Sequence, residues 1–125
     1  DTKGYISGIP DRQLIMCQIE TPGGLNAVEE IAGVEGVDLL FVGPNDLSAS
    51  LGHFGDQDHP DVRSAIDRIV KAAKAKGKFL GTVPTKQRDA KALFAAGFDL
   101  VVSGSDVALL REAAVAHVKA NKAPS

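Results

Sequence analysis

One pattern occurs four times along the chain: a short run of apolar residues, a polar turn, and a segment whose apolar residues recur with helical spacing. The apolar runs cover residues 14–19, 37–42, 78–83 and 98–102. Nearly unbroken runs of this length are typical of strands that are covered on both faces of a parallel sheet. The pattern therefore predicts four successive β-α units.

Helix signals follow each apolar run. The clearest helix begins at Pro60 and ends before Gly77, with apolar residues at helical spacing and lysines near its end, where they suit the helix dipole. The other helical segments are predicted over 22–32, over 47–51, around 90–94 before a glycine, and over 106–119. In the last helix four apolar residues are predicted to face the core, namely Leu109, Leu110, Ala113 and Val118.

Strands that alternate with helices imply right-handed crossovers and a parallel sheet, so the predicted fold class is α/β. Two architectures remain open at this point: a small doubly wound domain, or half of a TIM (β/α)₈ barrel, whose usual length is about 250 residues. Residues 1–13 are polar and contain glycine and proline, which is typical of a linker, and residues 121–125 are predicted to fray. This linker-like start suggests a piece of a longer chain.

Composition narrows the class of protein further. The 125 residues are 44% hydrophobic and 24% charged and include no Trp, which indicates an aliphatic core in a soluble domain. Fourteen basic against 16 acidic residues give a net charge of -2, so we expect neither a nucleic-acid partner nor a membrane surface. The single cysteine, Cys17, cannot form an internal disulfide, and no stretch is typical of a signal peptide or membrane span. These features favour a cytoplasmic location.

Polar residues follow the first two apolar runs, where ligands bind in parallel α/β folds. Gln18 and Glu20 are two positions apart and so project from the same face of a strand, and Asp46 follows the next run. Two carboxylates at one sheet edge, without Cys or His, favour Mg²⁺ or Mn²⁺ over zinc. The alternative is structural: Glu20 as a helix N-terminal acid, and Asp46 as a helix cap.

Two segments carry a resemblance to a known family. Residues 18–22 (QIETP) and 41–52 (FVGPNDLSASLG) resemble the metal-site motifs of the HpcH/HpaI aldolase family, the class II pyruvate aldolases, and the similarity continues through 59–62 and 104–106. The resemblance implies that residues 1–125 are the C-terminal half of such an enzyme. Their four strands would then be strands 5–8 of its TIM barrel.

The resemblance also implies a role for each matching residue. Glu20 and Asp46 would be ligands of a divalent metal, either Mg²⁺ or Mn²⁺, with Co²⁺ as a third candidate. Gln18 would be a catalytic residue that contacts the bound pyruvate or its enolate. The backbone N–H groups of Asn45 and Asp46 would bind the pyruvate carboxylate, as helix N-termini do for anions. Val83 would line the substrate pocket, although a core valine fits its position equally well.

The implied reaction is that of a metal-dependent aldolase, a lyase that reversibly cleaves a 4-hydroxy-2-oxo acid to pyruvate and an aldehyde through a metal-stabilised enolate. The family's acid/base histidine and its arginine belong to the first half of the barrel and have no counterpart here. A Schiff-base mechanism would need a lysine at the correct strand end, where Lys86 is the one candidate. The small-molecule 2-oxo acid is the expected partner, and the family resemblance implies a homo-oligomer, commonly a hexamer.

Two other functions remain open from the sequence. One is an acyl-CoA ester lyase of the citrate-lyase-like group, which shares the metal carboxylates. The other is a half-barrel module that has a binding or structural role and catalyses no reaction. Neither the composition nor the motif spacing distinguishes these two functions from that of an aldolase.

Overall fold

The structure, a computed structural model, describes residues 2–8 and 13–122. Seven helices and four strands lie in these ranges. In chain order they are α1 (Thr2–Ser7), β1 (Met16–Ile19), α2 (Pro22–Asn26), α3 (Val28–Gly33), β2 (Leu39–Val42), α4 (Pro44–Ser50), α5 (Pro60–Ala75), β3 (Phe79–Thr82), α6 (Ala90–Ala95), β4 (Leu100–Val101) and α7 (Asp106–Asn121). The four predicted β-α units are therefore confirmed.

The four strands form one parallel sheet in the order β1-β2-β3-β4. Each strand lies beside the next strand of the chain, whereas a doubly wound sheet reverses its order at a switch point. The order therefore favours consecutive strands of a barrel over a small doubly wound domain. In the register of β1 and β2, Gln18 pairs with Phe41 and Ile19 with Val42, which brings the carboxyl ends of both strands to the same edge.

One face of the sheet packs against the helices and forms the main hydrophobic core. Its strand residues are fully buried, and α3, α4, α5 and α6 all contribute side chains to the same cluster. The members with the largest fully buried side chains are Ile19, Leu40, Leu47, Ile69, Leu80, Val28 and Val42. Aliphatic residues dominate this cluster, as the composition predicts. Cys17 of β1 is half-buried and packs against this cluster.

On the opposite face of the sheet, two side chains of β2 lie close against β3. A Cβ atom at Gly81 of β3 would lie 2.7 Å from Phe41 Cδ2 and 3.0 Å from Leu39 Cδ2. The glycine thus lets both side chains of β2 lie across β3, and both are buried. Gln18 pairs with Phe41 and follows the same alternation, so this face leads to the polar strand ends.

Several boundaries differ from the sequence prediction, for example that of α4, which begins at Pro44 rather than at residue 47, and two elements differ more. The helix expected over 22–32 is split at Ala27 into α2 and α3, in a segment weakened by two glycines. The strand expected over 98–102 is reduced to the two residues of β4, although Phe98 beside it is buried in the core. Edge strands pair on one side only within the described residues, which leaves β4 with few ladder hydrogen bonds to extend it.

The prediction that α7 buries an apolar face is wrong for this chain. Leu109, Leu110 and Val118 are 61%, 72% and 63% exposed, and none of the residues of α7 is buried. The apolar residues of α7 are spread around the helix rather than gathered on one stripe, so no single face favours the sheet.

The ends of the chain also differ in part from the prediction. Residues 2–7, within the stretch predicted to be linker-like, form the short helix α1. Residues 9–12 of that stretch lie outside the described residues, as do residues 123–125 of the predicted frayed tail, whereas Asn121 is the last residue of α7. No helix within the described ranges has the length and apolar content that a membrane crossing needs.

A bidentate ion pair joins α3 to α5 and gives a first prediction. Arg68 donates from Nε and Nη2 to the two carboxylate oxygens of Glu29 at 2.8 Å and 2.7 Å, and these hydrogen bonds lower the pKa of Glu29. A carboxyl group whose pKa is lowered in the folded chain stabilises the fold at pH values above the ordinary Glu pKa of about 4.3. This stabilisation is lost as the pH falls through the lowered pKa. Arg68→Gln should therefore lower the melting temperature at pH 7 more than at about pH 3. Arg111→Gln on exposed α7 serves as control. An equal loss of melting temperature at both pH values in Arg68→Gln contradicts a stabilising ion pair between Arg68 and Glu29.

Candidate metal and substrate site

The end of β1 places two polar side chains at the carboxyl edge of the sheet. Gln18 Nε2 donates a hydrogen bond to the Glu20 carboxylate, and Glu20 is half-buried while Gln18 is exposed. Directly afterwards the Thr21 hydroxyl accepts from Gly24 N–H at 3.1 Å and caps α2, whose first residue is Pro22. The chain therefore turns away at once, and Glu20 remains at the rim of the sheet.

Gly43 makes the space that the Glu20 and Gln18 side chains occupy. It follows β2 at the position beside Glu20 in the strand register. A Cβ atom here would lie 2.8 Å from Glu20 Oε2, 2.9 Å from Gln18 Nε2 and 3.3 Å from Glu20 Cβ. Any larger residue would displace both polar groups. The absence of a side chain thus defines a cradle at the end of β2.

Asp46 lies in the first turn of α4, the helix that begins right after this cradle. Leu47 N–H donates to Gly43 O at 2.8 Å, the first α-helical bond of α4. The N–H groups of Asn45 and Asp46 precede it and have no i−4 partner within the helix. The structure thus brings Gln18, Glu20 and the start of α4 to one edge, as the sequence predicts.

The structural alternative is wrong for Asp46 and stays open for Glu20. The N-cap of α4 is Gly43 rather than Asp46, whereas Glu20 directly precedes Thr21, the N-cap of α2. Asp46 lies two residues beyond the start of α4, so it is a first-turn acid and not the cap. The Asp46 carboxylate can still interact favourably with the dipole of α4.

Three residues that the sequence analysis did not assign hold this site together. Ser50 Oγ, at the end of α4, donates to the Glu20 backbone carbonyl at 2.8 Å and also lies 3.0 Å from Leu47 O. The buried Ser48 donates to Asn45 O at 2.8 Å, and Gln57 Nε2 donates to the Asn45 side-chain oxygen. These contacts depend on spatial proximity between elements, for which no spacing signal exists in the sequence.

The bond from Ser50 to Glu20 O ties the helix that carries Asp46 to the strand that carries Glu20, and it gives a second prediction. Ser50→Ala should lower the free energy of unfolding by about 1 kcal/mol, the net value of a typical hydrogen bond. Divalent metal affinity should fall by at most about fivefold, the equivalent of that energy. Urea unfolding and metal titration test this, with Ser64→Ala at an exposed position of α5 as control. Equal free energies of unfolding and equal metal affinities in the two variants contradict a stabilising role for the Ser50 hydrogen bond.

Val83 follows β3 by one residue, where the register that pairs Val42 with Thr82 continues to Gly43 and Val83. It is half-buried after β3 and lines a cavity of about 210 Å³ together with Pro44, Gln57, Arg63 and Arg88. Gln18, Glu20, Asn45 and Asp46 are not among the residues that line this cavity. The substrate contact predicted for Val83 stays a prediction.

Three other polar side chains lie outside this group. His59 is the N-cap of α5, where its Nδ1 accepts from Asp61 N–H at 3.3 Å. Lys78 donates to Val34 O at 3.2 Å, at the amino end of β3 and away from the strand ends that bind ligands. Lys86 is exposed beyond β3.

The residues at the sheet edge fit a divalent metal ion by chemistry and by shape. Glu20 and Asp46 offer carboxylate oxygens and Gln18 an amide, the donor types that Mg²⁺ and Mn²⁺ prefer. Because Gly43 has no Cβ atom, the Glu20 carboxylate and the Gln18 amide can both lie at this edge. The fold and this edge together define a class of protein: parallel β-α units of a barrel with an acidic, oxygen-rich site at the strand ends.

Comparison with known proteins agrees with that class. The family model of HpcH/HpaI aldolase/citrate lyase matches residues 3–113, and the chain belongs to this family. It is 40% identical over 114 residues to a hydroxypyruvate/pyruvate aldolase of Delftia acidovorans, covering 91% of this chain and 42% of that protein. It is 46% identical over 99 residues to a 5-keto-4-deoxy-D-glucarate aldolase of Shigella dysenteriae, covering 79% and 39%. The chain thus spans about two-fifths of the length of these curated relatives.

Solved structures show the same relationship in three dimensions. A HpcH/HpaI aldolase/citrate lyase family protein from Burkholderia cenocepacia superposes with a TM-score of 0.83 at 37% identity, covering 95% of this chain and 46% of that one. Protein CitE from Mycobacterium tuberculosis, in complex with magnesium and pyruvate, gives a TM-score of 0.59 at 27% identity, covering 75% and 45%. The predicted family and fold class are confirmed.

Proposed function

We propose that this chain supplies the metal-binding and pyruvate-binding part of a class II aldolase, which reversibly cleaves a 4-hydroxy-2-oxo acid to pyruvate and an aldehyde. The observation that carries the proposal is the cradle at Gly43, where the Glu20 carboxylate lies against the backbone that leads directly into the helix bearing Asp46. The printed names of the relatives support it, since one is a pyruvate aldolase and one structure holds magnesium and pyruvate.

Glu20 and Asp46 are the residues that would hold the ion, Mg²⁺ or Mn²⁺ first and Co²⁺ third. A divalent ion in this position, when bound, supplies positive charge that stabilises the negative charge developing on the 2-oxo group as the C3–C4 bond breaks. The protein's own task is to keep both carboxylates oriented and close to the strand ends. The Ser50 bond to Glu20 O and the Thr21 cap serve that task.

Gln18 has two functions in this proposal. One N–H of its amide donates to the Glu20 carboxylate and holds it in place. An amide nitrogen carries two N–H donors, so the second is available to the oxygen of a bound 2-oxo acid. The N–H groups of Asn45 and Asp46, which lack intrahelical acceptors, are the proposed donors to the pyruvate carboxylate.

The proposal extends to assembly. The resemblance implies a homo-oligomer, commonly a hexamer, and the exposed apolar side chains of α7 support association with another chain or with the rest of a longer protein.

The test is whether pyruvate binding by this chain depends on the metal. Pyruvate is titrated calorimetrically with and without Mn²⁺, and its effect on the Mn²⁺ electron paramagnetic resonance spectrum is recorded. We expect binding of pyruvate only when Mn²⁺ is present, with a changed Mn²⁺ spectrum. Pyruvate binding that is equal with EDTA contradicts the proposal.

The reaction itself is tested in the protein that carries these residues. Pyruvate release from a 4-hydroxy-2-oxo acid is measured alongside hydrolysis or cleavage of an acyl-CoA ester. Release from the 2-oxo acid that EDTA abolishes is expected, whereas turnover of the acyl-CoA ester alone favours the citrate-lyase-like alternative.

A further inference from the structure

Two histidines and an aspartate come together where the loop after α4 meets the start of α5, outside the site described above. His53 Nε2 lies 3.0 Å from Asp61 Oδ2, and His59 Nδ1 lies 3.6 Å from the same oxygen. The ligand-type atoms of the three residues all lie within 4.8 Å of one another, and no other group of three such residues does so among those the structure describes. We propose that His53, His59 and Asp61 form a binding site for a borderline divalent cation such as Zn²⁺.

The donor set selects the kind of ion. Two imidazole nitrogens with one carboxylate oxygen suit Zn²⁺, Ni²⁺ and Cu²⁺, whereas Mg²⁺ prefers oxygen ligands alone. In a tetrahedral zinc site with bonds of about 2.0–2.2 Å, neighbouring ligand atoms are about 3.3 Å apart. The separations of 3.0 Å and 3.6 Å lie on either side of that spacing. Three protein ligands leave the fourth position to water.

Ion binding requires a small rearrangement of the two rings. They are stacked, with centroids 3.4 Å apart and planes 14° from parallel, and a metal ion lies close to the plane of each imidazole that binds it. The rings must therefore tilt apart by side-chain rotation. The side chains of His53 and His59 are 25% and 33% exposed, and that of Asp61 is 70% exposed, so solvent reaches part of each side chain.

The proton balance of the site is simple. His53 Nε2 and Asp61 Oδ2 share a hydrogen bond, and the ion takes the place of its proton. His53 must then carry its remaining proton on Nδ1, as neutral imidazole ligands do when bound through Nε2. His59 gives up its contact with Asp61 N–H, a long bond of 3.3 Å.

The ligands belong to the ends of two helices, so a bound ion would cross-link them. His53 N–H donates to Ser48 O at 2.7 Å and thereby anchors His53 to α4, while His59 and Asp61 begin α5. The loop between them carries Gln57, which donates to the Asn45 side chain at the start of α4. An ion at this triad would therefore rigidify the loop beside the proposed substrate site, although its binding does not depend on that site.

The test is a calorimetric titration of the 125-residue chain with ZnCl₂ in the presence of excess Mg²⁺, which occupies carboxylate sites but not imidazoles. The chain has three histidines, so His117→Asn on α7 is a matched control for His53→Asn and His59→Asn. Asparagine retains the ability to cap α5, and circular dichroism reports whether each variant is folded. We expect one Zn²⁺ per chain in the parent and in His117→Asn, with affinity at least tenfold lower in each of the other two variants.

The absence of Zn²⁺ binding by the parent chain would overturn the site, as would unchanged affinity in either His53→Asn or His59→Asn. A loss in His117→Asn would place the ion elsewhere and overturn it too. Cu²⁺ electron paramagnetic resonance of the parent chain provides a readout that needs no variant. Coupling to two imidazole nitrogens is expected, and fewer than two nitrogen ligands contradict the proposal.

Discussion

Glu20→Gln and Asp46→Asn are each expected to lower Mn²⁺ affinity by at least about 100-fold, because loss of an outer-shell partner of a metal ligand alone costs about 10–100-fold. Each change removes one negative charge and one strong oxygen donor while keeping the side-chain shape. Glu20 is half-buried and Asp46 is exposed, so the fold should survive both substitutions. Free Mn²⁺, counted by electron paramagnetic resonance during titration, measures the affinity.

The control for charge alone is Glu30→Gln, an exposed acid on α3 away from the strand ends. It should leave Mn²⁺ affinity unchanged, because long-range attraction between exposed charges is largely screened by salt. If all three variants bind Mn²⁺ as the parent chain does, the two carboxylates are not the ligands. Loss in only one of the two site variants would reduce the site to a single ligand and contradict the proposed pair.

The second large effect is expected from adding one methyl group, in Gly43→Ala. The new Cβ would lie 2.8 Å from Glu20 Oε2 and 2.9 Å from Gln18 Nε2, so both side chains must move. Gly43 has φ -95 and ψ 85, which alanine can adopt, and the two nearest atoms are at the ends of flexible side chains, while Glu20 Cβ at 3.3 Å must give by a few tenths of an ångström. We therefore expect a folded chain whose Mn²⁺ affinity is lower by about 10–100-fold, as for other displaced metal ligands.

Gly23→Ala is the matched control, since a Cβ atom there has only the Thr21 hydroxyl oxygen, at 4.0 Å, in its surroundings. Melting temperature and Mn²⁺ affinity are measured for both variants. An unchanged affinity in Gly43→Ala would show that Glu20 binds no ion in the position described. A global loss of folding in Gly43→Ala, with Gly23→Ala intact, would contradict the inference that movements of the Glu20 and Gln18 side chains accommodate the methyl group.

The sheet and the main helices could be predicted from sequence because the signals are local. Nearly unbroken apolar runs predict the strands, and the helical spacing after Pro60 predicts α5. Strand order could not be derived from periodicity, since half-barrels and doubly wound sheets share the same β-α alternation. The chain order of the sheet in the structure, and the resemblance of the two motifs, separate them.

The position of the candidate site was predictable, while its supports were not. Gln18 and Glu20 stand out as polar residues at alternating positions of an apolar strand, and the structure brings them to the edge where α4 begins. Gly43 supports the site because the strand register places it beside Glu20. Ser50 supports it because the end of α4 lies close enough to β1 for a hydrogen bond to Glu20 O. Cross-element contacts of this kind leave no spacing pattern.

The expectation for α7 is wrong. Apolar residues at helical spacing predict an inward face for α7, but they are spread around the helix and none of them is buried.

The most direct test of the metal site is a crystal of the chain grown with Mn²⁺ and pyruvate, with anomalous differences recorded at the manganese edge. The account predicts an anomalous peak bound by carboxylate oxygens of both Glu20 and Asp46, with the pyruvate carboxylate against the N–H groups of Asn45 and Asp46. A peak bound by other residues, or none at a Mn²⁺ concentration that saturates binding in solution, would contradict it.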